Sequence, residues 1–134
     1  MKKYKAILLT LIISIIAIIG LVIYNNYFKP WNDAEKYIDK YMEYQGVSTE
    51  DIKSITKEKS KKGNYEGILY KIFYEDDPGY EYQYFYSEDY HALYVNKVML
   101  QVYHEQDCDN PLRSNNELKD LKYPPIYLKD ELNK

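Results

Sequence analysis

The chain has one cysteine, one arginine, one tryptophan and two histidines among its 134 residues. A single thiol excludes an intramolecular disulfide, so the fold must be held by packing and hydrogen bonds alone. Cys108 lies between Asp107 and Asp109. Flanking negative charge raises a thiol's pKa and lowers its reactivity, so we read Cys108 as inert rather than redox-active or dimerising. Glycine is also scarce, five in all, and none falls in a phosphate-cradling pattern. No serine or cysteine stands in a nucleophile motif, so an enzyme is not expected. Acidic residues are missing from residues 1–24. All 21 of them follow, with 15 of the 18 basic ones, which leaves the rest of the chain at a formal charge of −6. Binding a polyanion needs a basic footprint, so nucleic acid is not an expected partner. An acidic surface also discourages lying flat on anionic lipid.

What the first residues do contain is an uncharged apolar run, residues 6–24, preceded by Lys2, Lys3 and Lys5. At a helical rise of about 1.5 Å per residue this run covers roughly 28 Å, close to the apolar thickness of a bilayer. Thr10 and Ser14 within it are expected to bond carbonyls one turn back. Tyr4, Tyr24 and Tyr27 flank it, where amphipathic rings sit at headgroup level. A cleaved secretory signal is the competing reading, but its apolar core is only about 7–15 residues long and ends in a small-x-small site. The run here ends Ile19-Gly20-Leu21-Val22-Ile23-Tyr24, and no cysteine follows to mark a lipoprotein. We therefore expect an uncleaved anchor that meets the lipid bilayer through residues 6–24. The lysine head predicts a cytoplasmic amino terminus and a single-pass protein whose carboxyl domain lies outside the cell membrane. One arginine beside many lysines, isoleucines and asparagines suggests an AT-rich genome of the low-GC Gram-positive kind.

Residues 25–30 read as a connector, residues 31–128 as an extracytoplasmic domain and residues 129–134 as a charged, flexible tail. Asn32 and Glu35 have capping-box spacing. Trp31, Ala34, Tyr37, Ile38, Tyr41 and Met42 then form one apolar stripe at helical intervals, closed by Gly46, and Trp31 is expected to start the core. Ser48 to Ile52 reads as a further turn, and the lysine-rich residues 53–62 as an edge strand guarded by charge, with a basic ligand patch as the alternative. Ile68, Tyr70, Ile72 and Tyr74 alternate along one strand, and Tyr80, Tyr82, Tyr84 and Tyr86 along the next. Asp76-Asp77-Pro78-Gly79 between them predicts a hairpin whose turn needs positive φ at Gly79. A third run, residues 93–103, places Val98, Leu100 and Val102 on one face. Residues 107–117 read as a loop, residues 118–121 as a helical turn, and Tyr123-Pro124-Pro125 as extended chain. The expected fold class is α+β: an N-terminal transmembrane helix, then one helix packed on a three- or four-stranded antiparallel sheet. Cystatin-like and PepSY-like folds share that layout, an analogy that carries little about function.

Eighteen tyrosines are present, 15 of them after residue 30. A tyrosine row can bind sugars or peptides by stacking and hydroxyl bonding, or it can be the half-buried face of a sheet. Tyr80, Tyr82, Tyr84 and Tyr86 are the candidate ligand-binding residues on the first reading. His104, Glu105, Asp107, Cys108 and Asp109 come nearest to a metal-ligand set but have no second ligand pair at a recognised spacing, so neither metal nor cofactor is expected.

Several of these features occur together: the lysine-started span, Asn25-Asn26-Tyr27-Phe28, Pro30-Trp31, Gln45-Gly46, Asp76-Asp77-Pro78-Gly79-Tyr80, and Lys122-Tyr123-Pro124-Pro125. In them the chain resembles an uncharacterised family of small single-span Gram-positive membrane proteins, that of the domain of unknown function three-one-three-nine. The resemblance implies location and layout and supplies no catalytic or binding residues. The expectation is a non-catalytic, membrane-tethered module that binds a peptide, protein or wall polymer. The alternative is an immunity or inhibitor protein against a secreted toxin, peptide or protease.

Overall fold

The computed structural model describes residues 1–91 and 97–128. It divides into two compact units, residues 1–33 and 34–134.

The first unit is helical. Helix α1 runs Lys2–Ile23 with no buried residue, and it is long and apolar enough to cross a membrane. Thr10 Oγ1 donates to the Ala6 carbonyl and Ser14 Oγ to that of Thr10, each at 2.9 Å, as the spacing predicts. These bonds satisfy the serine and threonine hydroxyls of the apolar run. Tyr24–Phe28 forms a π-helical turn, and helix α2 follows at Lys29–Gln45. The expected capping box is therefore absent, because Asn32 lies inside a helix rather than at its start. Trp31 falls in the first unit, outside the domain core it was expected to start.

The second unit is an α+β domain. The part of α2 within it buries Ala34, Ile38, Tyr41, Met42 and Gln45, the stripe set by helical spacing. The helix stops as Gly46 takes φ +80°. Gly46 N–H donates to the Glu43 carbonyl and Val47 N–H to that of Met42, both at 3.0 Å. This is the Schellman closure, and it satisfies carbonyls a helix end otherwise leaves bare.

A 3-10 turn at Thr49–Asp51 leads into a five-stranded antiparallel sheet of sequential order: β1 Ile52–Lys62, β2 Tyr65–Tyr74, β3 Tyr80–Tyr86, β4 Val98–His104 and β5 Asp107–Pro111. The lysine-rich segment is an edge strand, as expected. The strand count exceeds the expectation because residues 107–111, read as a loop for their Asp and Asn content, pair with β4. A short helix α3, Asn115–Lys119, follows, with Ser114 Oγ accepting the Glu117 N–H at 3.1 Å as its cap. Gly79 takes φ +90° at the β2–β3 turn. The expected third run begins in residues 92–96, and the expected flexible tail is residues 129–134; both segments lie outside the described residues.

Register assigns the two faces of the sheet. Tyr82 stands between Ile72 and Val102, and Tyr84 between Tyr70 and Leu100. With Tyr74 and Tyr86 they make the face covered by α2, where Tyr37 stacks on Tyr86 and Tyr41 meets Tyr84 edge-on. The opposite face carries Leu69, Lys71, Glu81, Gln83, Phe85, Gln101 and Tyr103. It is shielded partly by its own hairpin. Lys62 Nζ at the tip of β1 reaches Gln101 Oε1 on β4 at 2.7 Å. Gly67 permits this approach, since a Cβ there would stand 1.8 Å from the Tyr86 carbonyl oxygen and 3.1 Å from the Phe85 ring. A glycine inside a strand marks such a close approach of backbone.

Candidate functional site

The four candidate tyrosines share one sheet face, as alternation requires, but they differ in access. Tyr82 and Tyr84 are 0% exposed and Tyr86 is 3% exposed. Only Tyr80 keeps a half-exposed ring, tilted against His104 at a centroid distance of 5.2 Å. The row that alternation offered as a ligand ladder is, from Tyr82 onward, interior packing, with Tyr82 against Tyr123 of the C-terminal segment and Tyr84 and Tyr86 against α2.

The buried phenols form one hydrogen-bonded lock. Tyr84 Oη donates to Gln45 Oε1 at 2.7 Å, which uses its only hydrogen. Tyr74 Oη, 2.7 Å from Tyr84 Oη, must then be the donor of that pair. Gln45 Nε2 donates to the carbonyls of Tyr123 at 2.9 Å and Pro124 at 3.2 Å. Tyr82 Oη donates to Asp77 and accepts the Tyr123 N–H at 3.3 Å. Tyr123 Oη donates to Asp76 and lies 3.3 Å from Asp51 Oδ2, while Ile126 N–H donates to Tyr41 Oη at 3.2 Å. The C-terminal segment is thereby pinned to the helix end, the sheet and the β2–β3 turn together. Among the described residues no buried side-chain nitrogen or oxygen lacks a partner, the condition for a polar interior to be stable. Burial pushes Tyr41 up to about 12 and raises Tyr74, Tyr82 and Tyr84 well above the ordinary phenol range. These hydroxyls stay protonated and neutral.

The accessible chemistry lies at the turn end of the sheet. A cleft of about 300 Å³ is lined by Lys53, Phe73, Glu75, Pro78, Tyr80 and Glu105, with Ser54 at its side. Its rim is fixed by backbone: Glu105 N–H donates to the Gly79 carbonyl at 2.8 Å, and Glu75 N–H to that of Asp51 at 2.7 Å. One cation, two carboxylates and an aromatic wall converge there, and the volume falls at the small end of ligand pockets. A second hollow, of about 280 Å³ between β4 and the C-terminal segment, has Arg113 as its one charged lining residue.

The remaining candidates are dispersed. Among the described residues His104, Glu105, Asp107, Cys108 and Asp109 do not gather into a set that could hold a metal ion. Cys108 Sγ donates to Glu81 Oε2 at 3.4 Å. That bond is the first cause of the thiol's raised pKa, and Asp109 contributes less, so the sequence neighbours matter less than a carboxylate two strands away on β3. Sequence reasoning missed Gln45 as the hub of the lock and Lys53, Glu75 and Glu105 as cleft walls. The signal for the lock was present in Gln45-Gly46 and Lys122-Tyr123-Pro124-Pro125, whose contact only the fold reveals. The cleft left no signal, because its walls are spread from residue 53 to residue 105.

No curated protein and no solved structure matches the chain. The model of the family described as Protein of unknown function (DUF3139) matches residues 1–84, the span from the lysine head to the third tyrosine of the row, Tyr84, and on that match the chain belongs to this family.

Proposed function

We propose that the protein is a single-pass, membrane-tethered binding module whose domain works on the outer side of a Gram-positive cell membrane and performs no catalysis. The observation that carries the reading is the cleft at Tyr80, a recess lined by charged groups on a domain that buries the rest of that tyrosine row, Tyr82, Tyr84 and Tyr86, in its own core. The lysine head before an apolar helix favours a cytoplasmic amino terminus. The cleft offers binding groups without a hydroxyl or thiol paired to a base, which supports a recognition role over nucleophilic catalysis.

External protease added to intact cells tests the side, and a photo-crosslinking residue in place of Tyr80 tests the site. We expect the domain to be cut in intact cells and the crosslinker to capture one discrete ligand, lost when Glu75 and Glu105 are changed to Gln. A domain cut only after lysis, or a crosslinker that captures nothing at the cell surface, would overturn the reading.

A further inference from the structure

We infer that β1 is a docking edge and that its occupant is an extended, acidic polypeptide segment, added to the sheet as one further antiparallel or parallel strand. The inference names the ligand class for the binding role proposed above and rests on that reading.

The two edges of the sheet are treated differently. β5 is five residues long, shifts register between Tyr103 and His104, and ends at Pro111. Shortness, irregularity and proline each stop a strand from recruiting another, and lysines deter pairing with a like-charged edge. β1 carries lysines but no proline; it is the longest strand, 11 residues, and its register with β2 shifts between Ile52 and Ser54 and is then unbroken from Ser54 to Lys62. Most of its residues are exposed, and its outer side presents a row of backbone N–H and C=O groups with no strand beside it among the described residues. Such an edge is the template for strand addition, in which main-chain bonds supply affinity and side-chain recesses supply selectivity.

Charge selects the occupant. β1 carries Lys53, Lys57, Lys59, Lys61 and Lys62 against Glu58 alone, in a domain whose formal charge is otherwise strongly negative. A second copy presenting its own β1 would set lysine against lysine, which is unfavourable across strands. An acidic segment would set carboxylates opposite them. A phosphate polymer would satisfy the lysines but has no alternating donors and acceptors to match the strand edge, so the geometry favours polypeptide. The Tyr80 cleft adds a second observation, since it opens at Lys53 and Ser54, near the start of the same strand. A peptide lying along β1 can therefore place one side chain in that recess.

The test uses the full chain in neutral detergent micelles and a labelled peptide alternating Glu with Thr, read by fluorescence anisotropy. Three comparisons accompany it: the same peptide N-methylated at alternate residues, inorganic polyphosphate as competitor, and the Lys53→Gln/Lys61→Gln variant, whose two side chains are exposed. We expect saturable binding that weakens with added salt. We expect it to weaken at least about tenfold on N-methylation, because several main-chain bonds are lost together. The variant should also bind more weakly while keeping its melting temperature. Equal binding of the N-methylated peptide, or displacement by polyphosphate with no preference for peptide, would overturn strand addition in favour of a charge patch. No binding of the peptide, alongside capture of a ligand by the crosslinker at Tyr80, would sink this inference and leave the binding module standing. Failure of both would remove both.

Discussion

The two faces of the sheet are built from the same alternation of aromatic residues yet are closed by opposite means. On the α2 side, Tyr74, Tyr82, Tyr84, Ile72 and Val102 are at most 1% exposed, and a helix and the C-terminal segment cover them. On the other side, Leu69, Glu81, Gln83, Phe85 and Tyr103 are buried at 1–8% exposure without a helix. There the sheet shields itself, through the approach at Gly67 and the reach of Lys62 to Gln101. Polar content follows the same division. The covered face satisfies its phenols through a network that crosses to other elements. The self-shielded face satisfies Gln83, Glu81, Cys108, Tyr103 and Gln101 through short links within the sheet. A tyrosine-rich strand is thus no evidence of a binding face until one knows which side is covered.

The largest expected effect is on the covered face, at high pH. Burial raises Tyr41 and Tyr70 to about 12, and lifts Tyr74, Tyr82 and Tyr84 further. An unfolded tyrosine loses its proton near pH 10. Between pH 10 and 12 the unfolded state therefore binds fewer protons than the native one, and stability falls as pH rises. The domain should hold its stability below pH 10 and unfold cooperatively above it, with the last part of the tyrosinate absorbance, that of the buried phenols, appearing only as β-sheet circular dichroism is lost. Ionisation of every phenol well before the sheet melted would show that the face is open.

Substitutions separate the faces next. Ile38→Ala removes a fully buried helix side chain from the covered face and should cost about 2–5 kcal/mol by denaturant unfolding. Gly67→Ala strikes the other face, because its Cβ meets the Tyr86 backbone, and should cost about 1–3 kcal/mol with loss of the Lys62–Gln101 contact. An unchanged midpoint for Gly67→Ala would mean that the hairpin does not fold back in solution. The smallest effect belongs to the Lys71–Glu58 pair at 3.2 Å, both partners more than a third exposed. Lys71→Ala should cost less than about 1 kcal/mol, and less again in high salt.

The elements were legible in the sequence where one periodicity dominated. The helix stripe ending at Gly46, the Pro78-Gly79 hairpin and the lysine-rich edge strand all follow from spacing and turn chemistry. Two features were hidden for physical reasons. β5 is polar and its pairing is decided by β4, so no local signal distinguishes Asp107–Pro111 from a loop. Gly67 looks like an ordinary strand glycine until the distant Tyr86 carbonyl is placed against it. Of the candidate site, alternation correctly grouped Tyr80, Tyr82, Tyr84 and Tyr86 on one face. It could not tell that α2 and the C-terminal segment would cover three of them and leave Tyr80 at a cleft.

The tyrosine face is an internal lock centred on Gln45, and a double-mutant cycle between Tyr84 and Gln45 probes that lock at its hub. Tyr84→Phe leaves Gln45 Oε1 buried without its donor and should cost about 1–3 kcal/mol. Gln45→Met removes that acceptor together with the ties to Tyr123 and Pro124, and should cost at least as much. In the double variant no unpaired acceptor remains at that position. The combined loss should be smaller than the sum of the two by about 1 kcal/mol or more. Strict additivity, or a Tyr84→Phe protein as stable as the parent, would contradict it.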